Sequence, residues 1–126
     1  MRPRHIDKFP SSVAFDAIND VLSNSEADRK DAIKNGKAVF GITLKNPAGE
    51  TESWFIDLAK EGKVVQGLDK SDVELRLSDE DFGKLVMGKA KAQGLFMSGK
   101  LKIKGNVMKA AKLEPILNKS RSKAKL

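Results

Sequence analysis

The 126-residue chain has no cysteine, no tyrosine, one tryptophan and one histidine. Without cysteine there is no disulfide framework and no thiolate metal site, which fits a reducing or redox-indifferent setting. The single histidine, His5, lies among the first few residues, so a Ser-His or Cys-His pair within a core is excluded. No phosphate-cradling Gly-Lys-Ser/Thr loop and no His-rich metal spacing occurs. We therefore expect no catalytic residues, no metal and no cofactor: a binding protein rather than an enzyme. No stretch approaches the ~18 uninterrupted apolar residues of a membrane span. The basic start has no apolar run behind it, so a secretory signal is not expected and the chain reads as soluble. Acidic residues are scarce in one region only. Residues 89–126 carry 11 Lys and Arg against the single Glu114, a balance of +10, whereas residues 1–88 carry 13 against 16, a balance of −3. Such a split points to an anionic partner for one end, lipid headgroups or nucleic acid, or to a solubilising lysine coat.

What is present is enough for one domain with a real core. Ser11 or Ser12 can cap a first helix striped with Val13, Ala14, Ala17, Ile18, Val21 and Leu22. Ser25-Glu26-Ala27-Asp28 reads as a capping box for a second helix that stops at Asn35-Gly36. Residues 37–45 alternate, with Ala38, Phe40, Ile42 and Leu44 on one side. After the turn Asn46-Pro47-Ala48-Gly49, Trp54, Ile56 and Leu58 share a face, and a short strand lies around Val64-Val65. Residues 67–71 read as a loop and 73–77 as a strand. Ser78 then caps a helix with Phe82, Leu85 and Val86 inward and Gly88 at its end. The carboxylates of Asp79, Glu80 and Asp81 complement that helix's dipole. A short helix is expected near 91–97, a strand over 100–104, and a last helix capped by Asn106 that carries Val107, Met108, Ala111 and Leu113. Pro115 is expected to end or kink it. Single-faced strands mixed with helices define an α+β fold.

The most informative run is Gly94 to Met108. In its middle, Leu101 and Ile103 fall on one strand face and Lys100, Lys102 and Lys104 on the other. The block Gln93-Gly94-Leu95-Phe96-Met97-Ser98-Gly99-Lys100-Leu101-Lys102-Ile103-Lys104-Gly105-Asn106, followed by Met108 and Lys112-Leu113, resembles the sterol-carrier-protein domain. This is the family of nonspecific lipid-transfer proteins of peroxisomes. Thr51-Glu52-Ser53-Trp54 and Leu77-Ser78-Asp79-Glu80-Asp81-Phe82 are similar to its fungal members. The likeness runs from Ser12 onward. It implies a five-stranded mixed sheet with one face covered by about five helices, and a hydrophobic tunnel between the layers. It also implies binding of fatty acids, fatty acyl-CoA, phospholipids and sterols. Residues 1–10 match nothing in the family and are read as an arm, 11–117 as the lipid-binding domain, and 118–126 as a flexible basic tail. That tail ends in Ala124-Lys125-Leu126, a variant of the Ser-Lys-Leu peroxisomal address, so import-receptor binding and the peroxisomal matrix are expected.

Apolar walls alone account for such binding. At about 0.8 kcal/mol per methylene, a sixteen-carbon chain gains roughly 12 kcal/mol on leaving water. Lost ligand freedom takes back about 4 kcal/mol or more, which leaves micromolar affinity and poor selectivity. Candidate lining residues are Phe15, Ile18, Trp54, Phe82, Leu85, Val86, Leu95, Phe96, Leu101, Ile103 and Met108, each of which serves equally well as ordinary core. Phe40 shares that pattern. Met87, Met97 and Met108 have adaptable thioethers. Gln93, by likeness to relatives, is a polar candidate for a ligand headgroup, and equally an exposed glutamine. The expected assembly is a monomeric carrier of long-chain acyl lipids, with an anionic membrane surface as a further partner. A basic nucleic-acid-binding domain is the rival class, but the lysine strand interleaves aliphatics rather than base-stacking aromatics. A non-catalytic accessory subunit of a peroxisomal enzyme is the third.

Overall fold

The computed structural model describes residues 8–65 and 71–124. Five strands form one sheet in the order β3-β2-β1-β4-β5: β1 Val39–Lys45, β2 Thr51–Asp57, β3 Lys63–Val65, β4 Val73–Ser78 and β5 Lys102–Gly105. β1, β2 and β3 form an antiparallel meander, β4 runs parallel to β1, and β5 returns antiparallel to β4. The helices are α1 Val13–Asn24, α2 Glu26–Gly36, α3 Asp79–Val86, α4 Ala92–Met97, α5 Val107–Ala111 and α6 Glu114–Ala124, with a 3-10 turn at Pro10–Ser12. The expected mixed sheet and α+β class are what the chain adopts.

Alternation sets the two faces of the sheet. Phe40, Ile42 and Leu44 of β1, Trp54 and Ile56 of β2, Val64, then Val73, Leu75 and Leu77 of β4 are buried in one core with the helices. The opposite face carries the Thr43–Ser53 hydroxyl pair at 2.7 Å and the Glu74–Arg76 ion pair at 2.8 Å. Gly105, at φ 104°, lets β5 close on β4, because a Cβ there would stand 2.6 Å from the Asp72 carbonyl oxygen.

Several expectations are corrected. Ser12 makes no side-chain cap hydrogen bond, and the 3-10 turn precedes α1 instead. The left-handed residue ending α2 is Lys37 (φ 50°), not Gly36, whose missing side chain makes room for Leu58. The inward residues of the last segment are Ala110 and Leu113, while Val107, Met108 and Ala111 face out. Pro115 opens α6 rather than ending a helix, since a first-turn residue needs no intrahelical N–H donor. α6 continues to Ala124, so position 118 falls inside a helix and not at the root of a flexible tail; Lys125 and Leu126 lie outside the described residues. The arm expected at 1–10 has a structured end. Phe9 is buried edge-on against Trp54 with ring centroids 5.6 Å apart, and the Lys8 ammonium meets Glu50 at 3.1 Å. The 67–71 loop and the Lys100 strand start fare differently: 67–70 lie outside the described residues, and β5 begins only at Lys102.

Candidate functional site

Phe15 on α1, Trp54 on β2 and Phe82 on α3 meet face to face between sheet and helices. Phe15 stacks on Trp54 with centroids 4.8 Å apart and on Phe82 at 5.0 Å. The pattern of α1 and α3 makes this meeting possible: each is amphipathic, and each turns its aromatic onto the strand face that carries Trp54. Ile18, Leu85, Val86 and Leu101 are buried in the same cluster, Leu95 joins it from α4, and half-buried Ile103 packs against it. Nine of the predicted lining residues are thus brought together as one apolar layer. Gln93, Phe96 and Met108 are not; they lie on the exposed faces of α4 and α5.

The helix that closes this layer beside β5 is weakly built. α4 has only six residues, no side-chain cap at Lys91 and no acidic residue in its first turn. Gly94 sits within it although nothing stands within 4 Å of the place a Cβ would occupy. Glycines with positive φ, Gly88 and Gly99, lie on either side. α4 is held by buried Ala92 and Leu95 and by the Ala92 N–H, which donates to the Glu114 carboxylate at 3.4 Å.

Elsewhere the layer is fixed by polar contacts. The Asn19 amide oxygen, on α1, accepts the Val64 N–H at 3.0 Å and ties α1 to β3. Asp79 accepts the Ser11 N–H at 3.1 Å, joining α3 to the N-terminal turn. Burial pushes the Asp79 carboxyl above its ordinary range, and the Ser11 hydrogen bonds pull the other way. Glu50 is held below its ordinary range by the Asn46 side chain and by Lys8.

Two depressions lie on the surface away from the aromatic stack. One, of about 170 Å³, lies between α1, α2 and α6, floored by Val21, Leu22, Ala32 and Ile116 and rimmed by Asp28 and Lys119, which pair at 3.3 Å. It is smaller than the ~300 Å³ at which ordinary ligand pockets begin. The other, of about 390 Å³, is an open groove on the outer face of the sheet, lined by Thr43, Lys45, Arg76, Lys100 and Lys102 among others. Among the described residues no group of His, Cys, Asp and Glu could hold a metal ion, and no helix is long and apolar enough to cross a membrane.

Two features were missed in the sequence. Phe9 belongs to the aromatic cluster, and its signal was a bulky residue before Pro10 and two serines, where an apolar side chain often packs back on the helix it precedes. Met97 and Val107 are exposed with Phe96 and Met108, and periodicity cannot distinguish apolar residues with a partner from those without.

The five-stranded mixed sheet, covered by helices over an apolar layer, is the fold of a class of small lipid-binding domains. Within that class the chain belongs to the SCP-2 sterol transfer family, whose model matches residues 18–118. It is 50% identical over 124 residues to the fatty acid-binding protein of Yarrowia lipolytica, covering 93% of this chain and 95% of that one. It is 42% identical over 124 residues to the oleate-induced peroxisomal protein of Candida maltosa, covering 96% and 97%. Among solved structures it is similar to apo sterol carrier protein 2 of Yarrowia lipolytica, with a TM-score of 0.87 and 45% identity over 95% of this chain and 98% of that one.

Proposed function

We propose that the chain is a peroxisomal carrier of long-chain acyl lipids, taking fatty acids and fatty acyl-CoA, with sterols or phospholipids as further cargo. It works alone as a monomer without chemistry of its own, handing its load to membranes or to enzymes of β-oxidation in the matrix. The observation that carries this reading is the continuous apolar layer from Phe15 through Trp54 and Phe82 to Leu101, closed beside β5 by a short uncapped helix. Displacing α4 removes few buried side chains, so an acyl chain can enter there and exchange its contacts for those of Leu95 and Leu101. Phe82, Leu85, Val86 and Ile103 extend the wall. Gln93, exposed on α4, supplies a polar contact for a ligand headgroup. The relatives named for fatty acids and for peroxisomal, oleate-induced expression support the same reading. Ala124-Lys125-Leu126 supports the destination. The basic region carries a single aromatic, Phe96, which gives a nucleic-acid binder little to stack on.

Trp54 provides the test. Adding cis-parinaric acid should quench its emission by energy transfer and saturate with a single ligand per chain. No saturable signal with either the free acid or its CoA ester overturns the proposal. In the same preparation, removal of residues 124–126 should leave the affinity intact while a tagged chain stays in the cytosol; continued import would defeat the address.

A further inference from the structure

Four large apolar side chains are exposed among the described residues: Phe96 (37%), Met97 (80%), Val107 (47%) and Met108 (76%). All four flank one edge of the sheet, the first pair closing α4 and the second opening α5, with edge strand β5 between them. This edge is also rich in cations. Lys8, Lys30, Lys63, Arg76, Lys84 and Lys119 each form an ion pair. Lys100, Lys102, Lys104 and Lys109, on or beside β5, have no ion-pair partner among the described residues, and neither do Arg29, Lys34, Lys37, Lys45, Lys60, Lys89, Lys91 and Lys112 elsewhere. The register sets Arg76 directly across from Lys102 and Glu74 across from Lys104, which leaves a net positive edge.

We propose that this α4–β5–α5 edge is the surface by which the protein docks on an anionic phospholipid bilayer. The two helix tips insert their Phe, Val and Met side chains, and the lysines reach lipid phosphates and carboxylates. The inference rests on the carrier reading, to which it adds the face that meets the donor or acceptor membrane. Lysines on an edge strand also discourage strand-to-strand association, but that role leaves four exposed apolar side chains unexplained, since these invite association. A second copy of the chain would bring four unpaired lysines against four others. A folded acidic protein would be met mainly by lysines, which are depleted from such interfaces, with no Trp or Tyr anchor. A fluid bilayer requires no matching shape. It accepts flexible lysine stems whose heads stay in the headgroup layer while their methylenes lie along apolar surface. The location has a further consequence: Leu95 and Leu101, on the buried side, are next in sequence to Phe96 and Lys102, so docking places lipid beside the helix proposed to open.

The absence of cysteine makes the test clean. A nitrobenzoxadiazole dye is attached in turn to Met97→Cys, Met108→Cys and, as control, Ala59→Cys, which lies in the turn at the β3 edge. Vesicles of phosphatidylcholine with phosphatidylserine should shift the first two emissions to the blue and leave the third unchanged; phosphatidylcholine alone should shift none. Met97→Gln and Met108→Gln should each weaken vesicle partitioning roughly tenfold, from the area no longer withdrawn from water. Lys102→Gln and Lys104→Gln should each weaken it roughly fivefold. Trp54 quenching by cis-parinaric acid, measured in parallel, should not change. An unshifted dye at 97 and 108, a shift at 59, or equal binding to neutral vesicles overturns the proposal. So does a shift without vesicles that tracks self-association, or one elicited by polyglutamate but not by vesicles; these assign the edge to a second copy or to an acidic protein. Intact quenching in an unsubstituted chain that does not dock on the anionic vesicles refutes the face alone, whereas docking without quenching refutes the carrier reading alone.

Discussion

At the β3 edge of the sheet, α1 lies across the strand and Asn19 satisfies the Val64 N–H, while Lys63 pairs with Glu61 at 2.8 Å. At the β5 edge, α4 and α5 have six and five residues, lysines lack partners, and methionines face solvent. One sheet thus ends in a sealed edge and an open one. The difference teaches where the molecule concentrates stability and where it leaves room for exchange. Local opening follows from few buried contacts and weak helices, and those conditions are met beside β5. A carrier needs both properties: a frame that survives loading and unloading, and a seam that parts without unfolding the frame.

The comparison can be broken most forcefully at the sealed edge. Asn19→Ala leaves the buried Val64 N–H without its acceptor and should cost about 1–3 kcal/mol in urea unfolding. It should do so with little effect on how fast ligand leaves. A loss below a few tenths of a kcal/mol would show that water replaces the amide and that this edge is less sealed than its geometry says.

Stiffening the open edge sharpens the contrast from the other side. Gly94→Ala meets no neighbour within 4 Å and should stabilise α4 by about 0.5–1 kcal/mol. Release of cis-parinaric acid, followed by stopped-flow recovery of Trp54 emission, should slow several-fold at nearly unchanged affinity. Unaltered release would place the entry elsewhere.

The smallest expected effect concerns neither edge. Asp79, 7% exposed, joins α3 to the N-terminal turn, and burial raises its carboxyl above the ordinary value of 3.8. The folded chain therefore holds this proton more tightly than the unfolded chain does. The linked stability is fully present below pH 3.8 and is lost as pH rises through the elevated folded value. The dipole of α3 favours the ionised form and keeps the effect modest. Denaturant titrations across that window should show the loss in the wild type and its absence in Asp79→Asn. A wild type that gains stability relative to the variant over the same rise would reverse the sign.

Much of the frame was legible in the residues. Phe40, Ile42 and Leu44 alternate with neighbours on the other face of the sheet, and Trp54 and Ile56 do the same, because successive side chains of a strand point to opposite faces. Ser78 and Asn106 announced α3 and α5, and each side chain accepts helix N–H groups as its type predicts. The likeness carried by residues 93–113 supplied the mixed sheet, which periodicity could not: nothing local says that β4 will lie parallel to β1. Gly36 was misread because a glycine near a helix end serves for left-handed backbone or for close packing, and only the position of Leu58 decides. Pro115 was misread for a similar reason, since its missing N–H breaks a helix interior and suits a first turn. As to the candidate site, the sequence could name Phe15, Trp54 and Phe82 as apolar but could not say that they stack. Nor could it separate Leu95, which faces in, from Phe96, which faces out, because adjacent helix positions differ only by rotation about an axis not yet placed.

The central pairing of β1 with β4 has a consequence for how the chain is assembled. β1 and β2 are joined by a turn in which Gly49 N–H bonds to the Asn46 carbonyl, so that hairpin closes quickly. The parallel partner comes later, since Val39 meets Asp72 across 33 positions of chain and everything between must already be out of the way. Non-local parallel contacts form slowly. Until β4 arrives, the nascent meander shows a bare row of β1 amides and carbonyls with Phe40, Ile42 and Leu44 beside it, and this is the interval in which newly made chains are most prone to stick to one another.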